Sequence, residues 1–424
     1  MEDGHPGDSD ALDVLVLGMH YTPEHTGNAP YTAGMVAALS DAGHRVRVIT
    51  GYPHYPRWAL YDGYTGVRRH EVDGGARITR VRHPVPRSPS AWRRAVMDAA
   101  FTVHAAAVGK QGTRRPDVVI AVSPVLLTVL AGLRWKKRGR TALGVVTQDL
   151  YSRAVTETGI ASAGAGRAAA RLEGWLLGRA DGIAVVHDQF REGLAGLGID
   201  RDRVTVIRNW SHVSTGDADR AVTRRDLGWR DDEVVVLHAG NMGLKQGLEN
   251  VVDTARLADE RGAPVRFVLL GDGNRRGTLE ARGAGVGRLQ FLDPLPGERF
   301  PDALAAADVL LVNEAPTVAE MSVPSKLTSY FTAGRPVVAA SWERSAAAAE
   351  LRRSGGGVRV DPGRPQDLLD AVQGITEPAR AAALAAAGRA YAQEHLGATA
   401  AHRDYQRWVE GLAAARVPVG GTRV

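Results

Sequence analysis

Short aliphatic and β-branched runs alternate with stretches of helical periodicity along almost the whole chain. In the first half the pattern predicts strands at Asp13–Gly18, Arg45–Thr50, Arg77–Val81, Val118–Val122, Leu143–Thr147, Ile183–His187 and Val204–Ile207. A second series follows at Val234–His238, Val265–Leu270, Leu289–Leu292, Val309–Val312, Val337–Ala340 and Val358–Val360. Helices or glycine-containing turns separate them, the mark of α/β layers around parallel sheets. Between the two series, Trp210 to Arg230 is rich in Asp, Arg, Ser and Thr and lacks an apolar period, so it reads as a linker. Ala- and Arg-rich helices are expected from about Ala379 to Ala415. The division is therefore 1–212, 213–378 and a C-terminal helical segment 379–424. Two doubly wound domains of this kind would face each other across a cleft, with ligand between the C-terminal ends of their strands.

Composition agrees with two ordinary cores. The 424 residues are 44% hydrophobic and 24% charged, and 53 Lys and Arg against 47 Asp and Glu leave a net charge of +6. That mild basic bias suits an anionic ligand or membrane surface. It has no aromatic-studded basic stripe, so nucleic acid is not an expected partner. The chain has no cysteine, which excludes disulfides and thiolate chemistry and fits a reducing interior. The first ten residues are polar and acidic, with no apolar signal core. The longest uncharged apolar run, Val118 to Leu133, is broken by Ser123-Pro124 and reads as strand, turn and helix rather than a membrane span. A cytoplasmic protein, soluble or peripheral on the inner face of a membrane, is expected.

Several segments carry candidate chemistry. The stretch Val323-Pro324-Ser325-Lys326-Leu327 opens a helix that Gly334 ends, and Ser329 lies one turn inside it. Proline at the first turn, free N–H groups, the positive dipole end and a lysine together suit a diphosphate. The alternative is a capped helix with a solvated lysine. The long loop after the first strand carries Glu24, His25, Gly27 and Asn28 just before a helix, where backbone approaches ligand closely. Gln148 and Asp149 follow a strand into the expected ligand position, and a carboxylate there can orient a hydroxyl; it could equally be a helix cap. Gly240-Asn241-Met242-Gly243-Leu244-Lys245-Gln246-Gly247 is a glycine-rich strand-to-helix loop that could hold phosphate, though it lacks the P-loop ending. Gly271-Asp272-Gly273 approximates a dinucleotide fingerprint with Asp293 about 20 residues on, but its third glycine is late and its strand is second in the domain. The Asp-x-Asp triplets at Asp8/Asp10, Asp200/Asp202 and Asp217/Asp219 read as loop charges, and no histidine spacing suggests a metal. The segment from Ser90 to Gly112, opening Trp92-Arg93-Arg94, reads as a partly buried helix with arginine on its wet side; docking on an anionic membrane is the other reading.

Four segments in order resemble GT-B glycosyltransferases of family 4, closest to the exopolysaccharide branch with fucosyl- and N-acetylfucosaminyl-type transferases. They are Tyr21 to Gly27, Gln148-Asp149-Leu150, Gly240 to Glu249, and Val323 to Thr328 with Ala333-Gly334-Arg335-Pro336. The resemblance implies two Rossmann-like domains, the second holding a UDP-, GDP- or dTDP-sugar and the first a hydroxyl acceptor. The final helices would cross back to the first domain. It implies transfer with retention, no cofactor and no obligatory metal. Gly27 and Asn28 would lie against the donor phosphates. Gly240, Asn241, Lys245, Gln246, Gly271, Pro324, Ser325, Lys326 and Ser329 would hold the diphosphate. Asp149 would sit at the reacting centre with Lys245 and Lys326. Glu24, His25, Gln148 and Arg153 would lie on the acceptor side.

The chain departs from the family pattern in places. Asn241 and Gln246 stand where arginine and lysine are common, and Met321 and Ser329 stand at the positions of the paired glutamates, with Glu320 one place off. Arg153 replaces a frequent acid. The implied role is surface polysaccharide or glycolipid assembly, with a soluble small-molecule acceptor as the variant reading. A sugar-nucleotide epimerase or an NAD-dependent oxidoreductase would be the alternatives of another class.

Overall fold

The computed structural model describes residues 11–25, 27–87, 90–108, 114–150, 163–211, 216–316 and 326–415. Contacts divide the described residues into two units: those up to Arg208 together with those from Ala398 onward, and Asn209–Gly397.

The first unit carries an eight-stranded sheet. Its strands are β1 (Asp13–Leu17), β2 (Arg45–Gly51), β3 (Arg68–Asp73), β4 (Ala76–Val81), β5 (Val118–Val122), β6 (Ala142–Thr147), β7 (Gly182–Val185) and β8 (Val204–Val206). They lie in the order β3-β4-β2-β1-β5-β6-β7-β8, and every pairing but β3 with β4 is parallel. Strands β1, β5, β6 and β7 are buried at every position, as a sheet covered on both faces requires. β3 was not expected. Arg68, Arg69 and His70 are all exposed on it, and a charged edge strand shows no apolar alternation.

The second unit carries β9 (Val234–Ala239), β10 (Val265–Leu270), β11 (Leu289–Leu292), β12 (Val309–Asn313), β13 (Val337–Ala340) and β14 (Gly357–Val360). All are parallel, in the order β11-β10-β9-β12-β13-β14. That is the doubly wound order, reversing direction between β9 and β12. One face packs Leu237, Leu310, Tyr330 and Phe331; the other packs Val236, Val251, Phe267 and Leu369.

The expected linker contains the helix Arg220–Asp226, opened by Asp219, whose carboxylate accepts from the N–H groups of Ala221 and Val222. The apolar period is missing because a buried residue here is Arg224. Its guanidinium donates to the carbonyls of Ala306 and Glu233 and to Asp308. Burial that rests on a charge leaves no hydrophobic trace in the sequence.

The C-terminal helices do not travel together. Pro378–His395 packs on the helices Lys326–Ala333 and Ala346–Ser354 of the second unit. Only Ala398–Ala415 lies on the first unit, against the helix Ala29–Asp41 and strands β5 and β6. Trp408 and Leu412 drive it onto Gly144 of β6 and Gly182 of β7. A Cβ on Gly144 would lie 2.7 Å from the Trp408 ring, and one on Gly182 would lie 2.9 Å from Leu412. Glycine in these strands is the space into which the helix sinks. Trp408→Ala should therefore cost about 3–5 kcal/mol of stability, read as a lower midpoint in urea unfolding of the first unit's signal. Gly144→Ala should lower it as well, by forcing the helix outward.

Candidate functional site

In the second unit two glycine loops interlock at the point where strand order reverses. β9 ends into Gly240 (φ 125°) and β10 into Gly271 (φ 136°), conformations that disfavour any side chain. The Gly240 amide donates to the Leu270 carbonyl at 2.8 Å, Met242 N–H to Asp272 O at 2.8 Å, and Arg275 N–H to Met242 O at 3.0 Å. A Cβ on Gly271 would stand 2.1 Å from the Gly240 oxygen. The loop after β9 is framed from β12 too. Asn313 donates to the carbonyls of Gln246 and Gly247, and Ala315 N–H donates to Lys245 O.

Above this frame stands Lys326, first residue of the helix Lys326–Ala333. Its Nζ lies 3.1 Å from Nε2 of His238 on β9 and 3.7 Å from where a Gly240 Cβ would be. His238 is wholly buried, and its Nδ1 lies 3.2 Å from the Leu311 carbonyl. Nδ1 therefore carries the proton and donates, leaving Nε2 as an acceptor for the ammonium. Burial, then the Lys326 charge, push the His238 imidazole well below its ordinary value. Burial also pushes the Lys326 amine down to about 7, against an opposing pull from Glu314. The lysine is thus tethered to a neutral partner, and no tight ion pair among the described residues cancels its charge. A phosphate oxygen arriving beside it would meet that charge and exposed loop backbone together.

The other expected residues fall around this core unevenly. Asn241 is exposed beside Gly243 and Gly273, whose missing side chains leave room for its amide. Gln246 turns its Oε1 inward, where it accepts from the Gly243 N–H at 3.1 Å and closes the loop on itself. Lys245 is exposed on the turn Leu244–Gln246, and no hydrogen bond or ion pair among the described residues engages its side chain. Ser329 is buried three residues along the helix, on the face of Lys326. Asp293 is exposed and pairs with Arg276 at 2.6 Å. Pro324, Ser325 and Arg153 lie outside the described residues.

The first unit has its own reversal point, between β1 and β5. Gly27 (φ 64°) is exposed on the loop after β1, and Asn28 follows at the start of the helix Ala29–Asp41. Asn28 does not cap that helix, because its Nδ2 donates to the Ser123 carbonyl after β5 at 2.9 Å. Gln148 is buried, and its N–H donates to Ser123 Oγ at 2.8 Å; Asp149 beyond it is exposed at the C-terminal end of β6. His25 is exposed, whereas Glu24 is buried and cannot meet a ligand directly. Its Oε1 accepts from the N–H groups of His54 and Tyr55 at 2.7 and 2.8 Å, and its Oε2 lies 2.7 Å from His20 Nδ1. Burial alone would raise this carboxyl. The His20 hydrogen bond and charge, with the two amides, outweigh it and hold it below the usual range.

His20, Glu24 and His54 have ligating atoms within 4.8 Å of one another, a set that could bind a metal ion. Their hydrogen bonds already account for the proximity. His238, His20 and the segment Tyr52 to Tyr61 were not anticipated. An imidazole at the end of the aliphatic run Val234–His238 was the available signal for the first, and the crowding of aromatic and proline residues after β2 for the others.

Two family models match: a glycosyl transferase 4-like domain over residues 26–210 and glycosyl transferases group 1 over 233–377. Escherichia coli (strain K12) WcaI, described as a colanic acid biosynthesis glycosyl transferase, is 32% identical over 76% of this chain and 82% of that protein. Among solved structures, sucrose-phosphate synthase from Thermosynechococcus elongatus aligns with TM-score 0.71 at 18% identity, covering 95% of this chain and all of that one. Anabaena HepE in complex with UDP-glucose aligns with TM-score 0.66 at 16% identity, over 94% and 100%. The fold is GT-B, and the chain belongs to the family 4-like glycosyltransferases.

A bound diphosphate favours the charged form of Lys326, whereas the free protein loses that proton above about pH 7. Affinity for a UDP-, GDP- or dTDP-sugar should be level below that pH. Above it, affinity should fall by up to about tenfold per pH unit. Calorimetric titration in buffers of different ionisation enthalpy should show proton uptake at pH 8, and Lys326→Ala should abolish both effects. His238 and Glu314 are the titratable neighbours of this group.

Proposed function

We propose that this glycosyltransferase moves a sugar from a nucleoside diphosphate to a hydroxyl acceptor, with retention of anomeric configuration and without an obligatory metal. The donor belongs to the second unit and the acceptor to the first. The observation that carries this reading is Lys326, held against neutral His238 over two interlocked glycine loops. Negative charge gathers on the leaving phosphate as the glycosyl bond breaks. A fixed ammonium and backbone N–H groups aimed there lower the barrier without needing an ion. Asp149, exposed at the end of β6, supplies a carboxylate on the acceptor side. The HepE complex with UDP-glucose supports a sugar nucleotide as donor, and the colanic acid relative supports a role in surface polysaccharide assembly.

An acceptor presented at a membrane fits the first unit. On the helix Ala91–Ala106, Trp92 is 66% exposed and Val103 64%, with Val96 also exposed, beside Arg93 and Arg94. Apolar side chains flanked by arginine suit the interface of an anionic bilayer. No helix among the described residues is long and apolar enough to cross one.

Incubation with candidate sugar nucleotides and acceptors should release nucleoside diphosphate, with the anomeric configuration read by NMR and turnover retained in EDTA. Lys326→Ala and Asp149→Ala should each slow release by about 10²–10³-fold. Wild-type turnover in both variants would remove the site assignment. Trp92→Glu should weaken sedimentation with phosphatidylglycerol vesicles and leave neutral vesicles unaffected.

A further inference from the structure

Glu24 is a buried carboxylate with three hydrogen-bonded neighbours from two segments. Its Oε1 takes the amides of His54 and Tyr55, which pins the loop after β2, and its Oε2 takes His20 at the mouth of β1. A carboxylate held ionised only accepts, so the proton between them belongs to His20 Nδ1. In the neutral ring Nε2 then keeps its lone pair, and it makes no hydrogen bond among the described residues. The His20 side chain is 16% exposed, at the C-terminal end of β1 where a doubly wound sheet receives ligand. The pinned loop brings aromatic surface beside it. Tyr55 lies 5.9 Å from the His20 ring, and Trp58 stands 6.1 Å edge-on to Tyr55. Both are part-exposed, and Arg94 lies 4.8 Å over Trp58. Trp58 has φ 51°, rare for a bulky side chain and sustained here by its surroundings.

We propose that His20 receives the acceptor hydroxyl through Nε2, that Glu24 is its positioning residue, and that the acceptor is a sugar ring resting on Tyr55 and Trp58. This rests on the transferase reading above and names the acceptor's class. The hydroxyl donates its hydrogen bond to Nε2. Its oxygen bonds to the donor's anomeric carbon on the face from which the diphosphate departs, as retention requires, while the bond from that carbon to the diphosphate oxygen breaks and the electron pair leaves on phosphate. The hydroxyl proton passes to Nε2 and later to water. His54, His83 and Asp98 are the other titratable groups whose charge interacts with His20.

Glu24→Gln separates this role from a structural one. The amide oxygen keeps both loop N–H bonds, while its NH₂ faces His20 Nδ1 and demands an acceptor there. The ring proton must move to Nε2, which then donates to the substrate oxygen and makes it a poorer nucleophile. The melting temperature should stay within a few degrees of wild type. Nitrogen-15 spectra of histidine-labelled protein should show the His20 proton on Nδ1 in wild type and on Nε2 in the variant. Acceptor-dependent kcat should fall about 100-fold with acceptor KM changed less than threefold. His20→Ala should show a similar loss of kcat, and Trp58→Ala should instead raise acceptor KM.

Methyl glucoside, methyl fucoside and their octyl analogues in vesicles serve as probes of the ring site. All should perturb the His20 and Trp58 signals if the sugar alone is recognised, and octyl glycosides should act at lower concentration if the acceptor is lipid-borne. A tautomer switch with unchanged kcat would overturn the proposal, as would glycosides that leave His20 and Trp58 unperturbed. If wild type consumes no sugar nucleotide, the donor reading fails, and the glycoside spectra still decide the site.

Discussion

An ammonium resting on a neutral imidazole is the contact on which the second unit's candidate site is built. Lys326 could have been stabilised more strongly by a carboxylate at the same place, but a tight ion pair would have satisfied its charge before any ligand arrived. His238 instead fixes the position of the nitrogen through a lone pair and leaves its charge to be completed from outside. The orientation of His238 is in turn set by the Leu311 carbonyl of β12, so the device spans the two strands on either side of the sheet's reversal. The interlocked glycines beside it hold two loops close enough for their backbone to share one small volume.

The first unit solves a related problem with opposite charge. Glu24 is buried and spends both oxygens on internal donors. Its work is mechanical: it ties the loop after β2 to the mouth of β1 and dictates which imidazole nitrogen of His20 faces outward. In each unit one buried or part-buried charge governs the tautomer or the aim of its neighbour, and the sheet supplies fixed points for both.

Strand positions were readable because buried parallel strands are runs of aliphatic residues, and all of those expected are present. What escaped were elements whose burial or exposure is polar. β3 is a charged edge, and the helix Arg220–Asp226 is anchored by Arg224 rather than by an apolar stripe. At the candidate sites, loop positions such as Gly240, Gly271 and Lys326 were visible as motifs, and the structure places them beside one another. Side-chain commitments were not, because they depend on partners far away in sequence. Glu24 reaches His54 and Tyr55 across 30 residues or more, and Lys326 reaches His238 across 88. Gln246, expected as a ligand contact, bonds three residues back through its Oε1.

The helix Ala398–Ala415 belongs to a sheet whose first strand is Asp13–Leu17, so everything between 209 and 397 is spelled out before the first unit receives its last layer. During synthesis the groove above Gly144 and Gly182 stays open, its aliphatic floor wet, while the second unit already has all its strands and can close. The half that is translated first is thus finished last. A ribosome that stalls, or a protease that trims the tail, leaves an intact second unit joined to an unsealed partner.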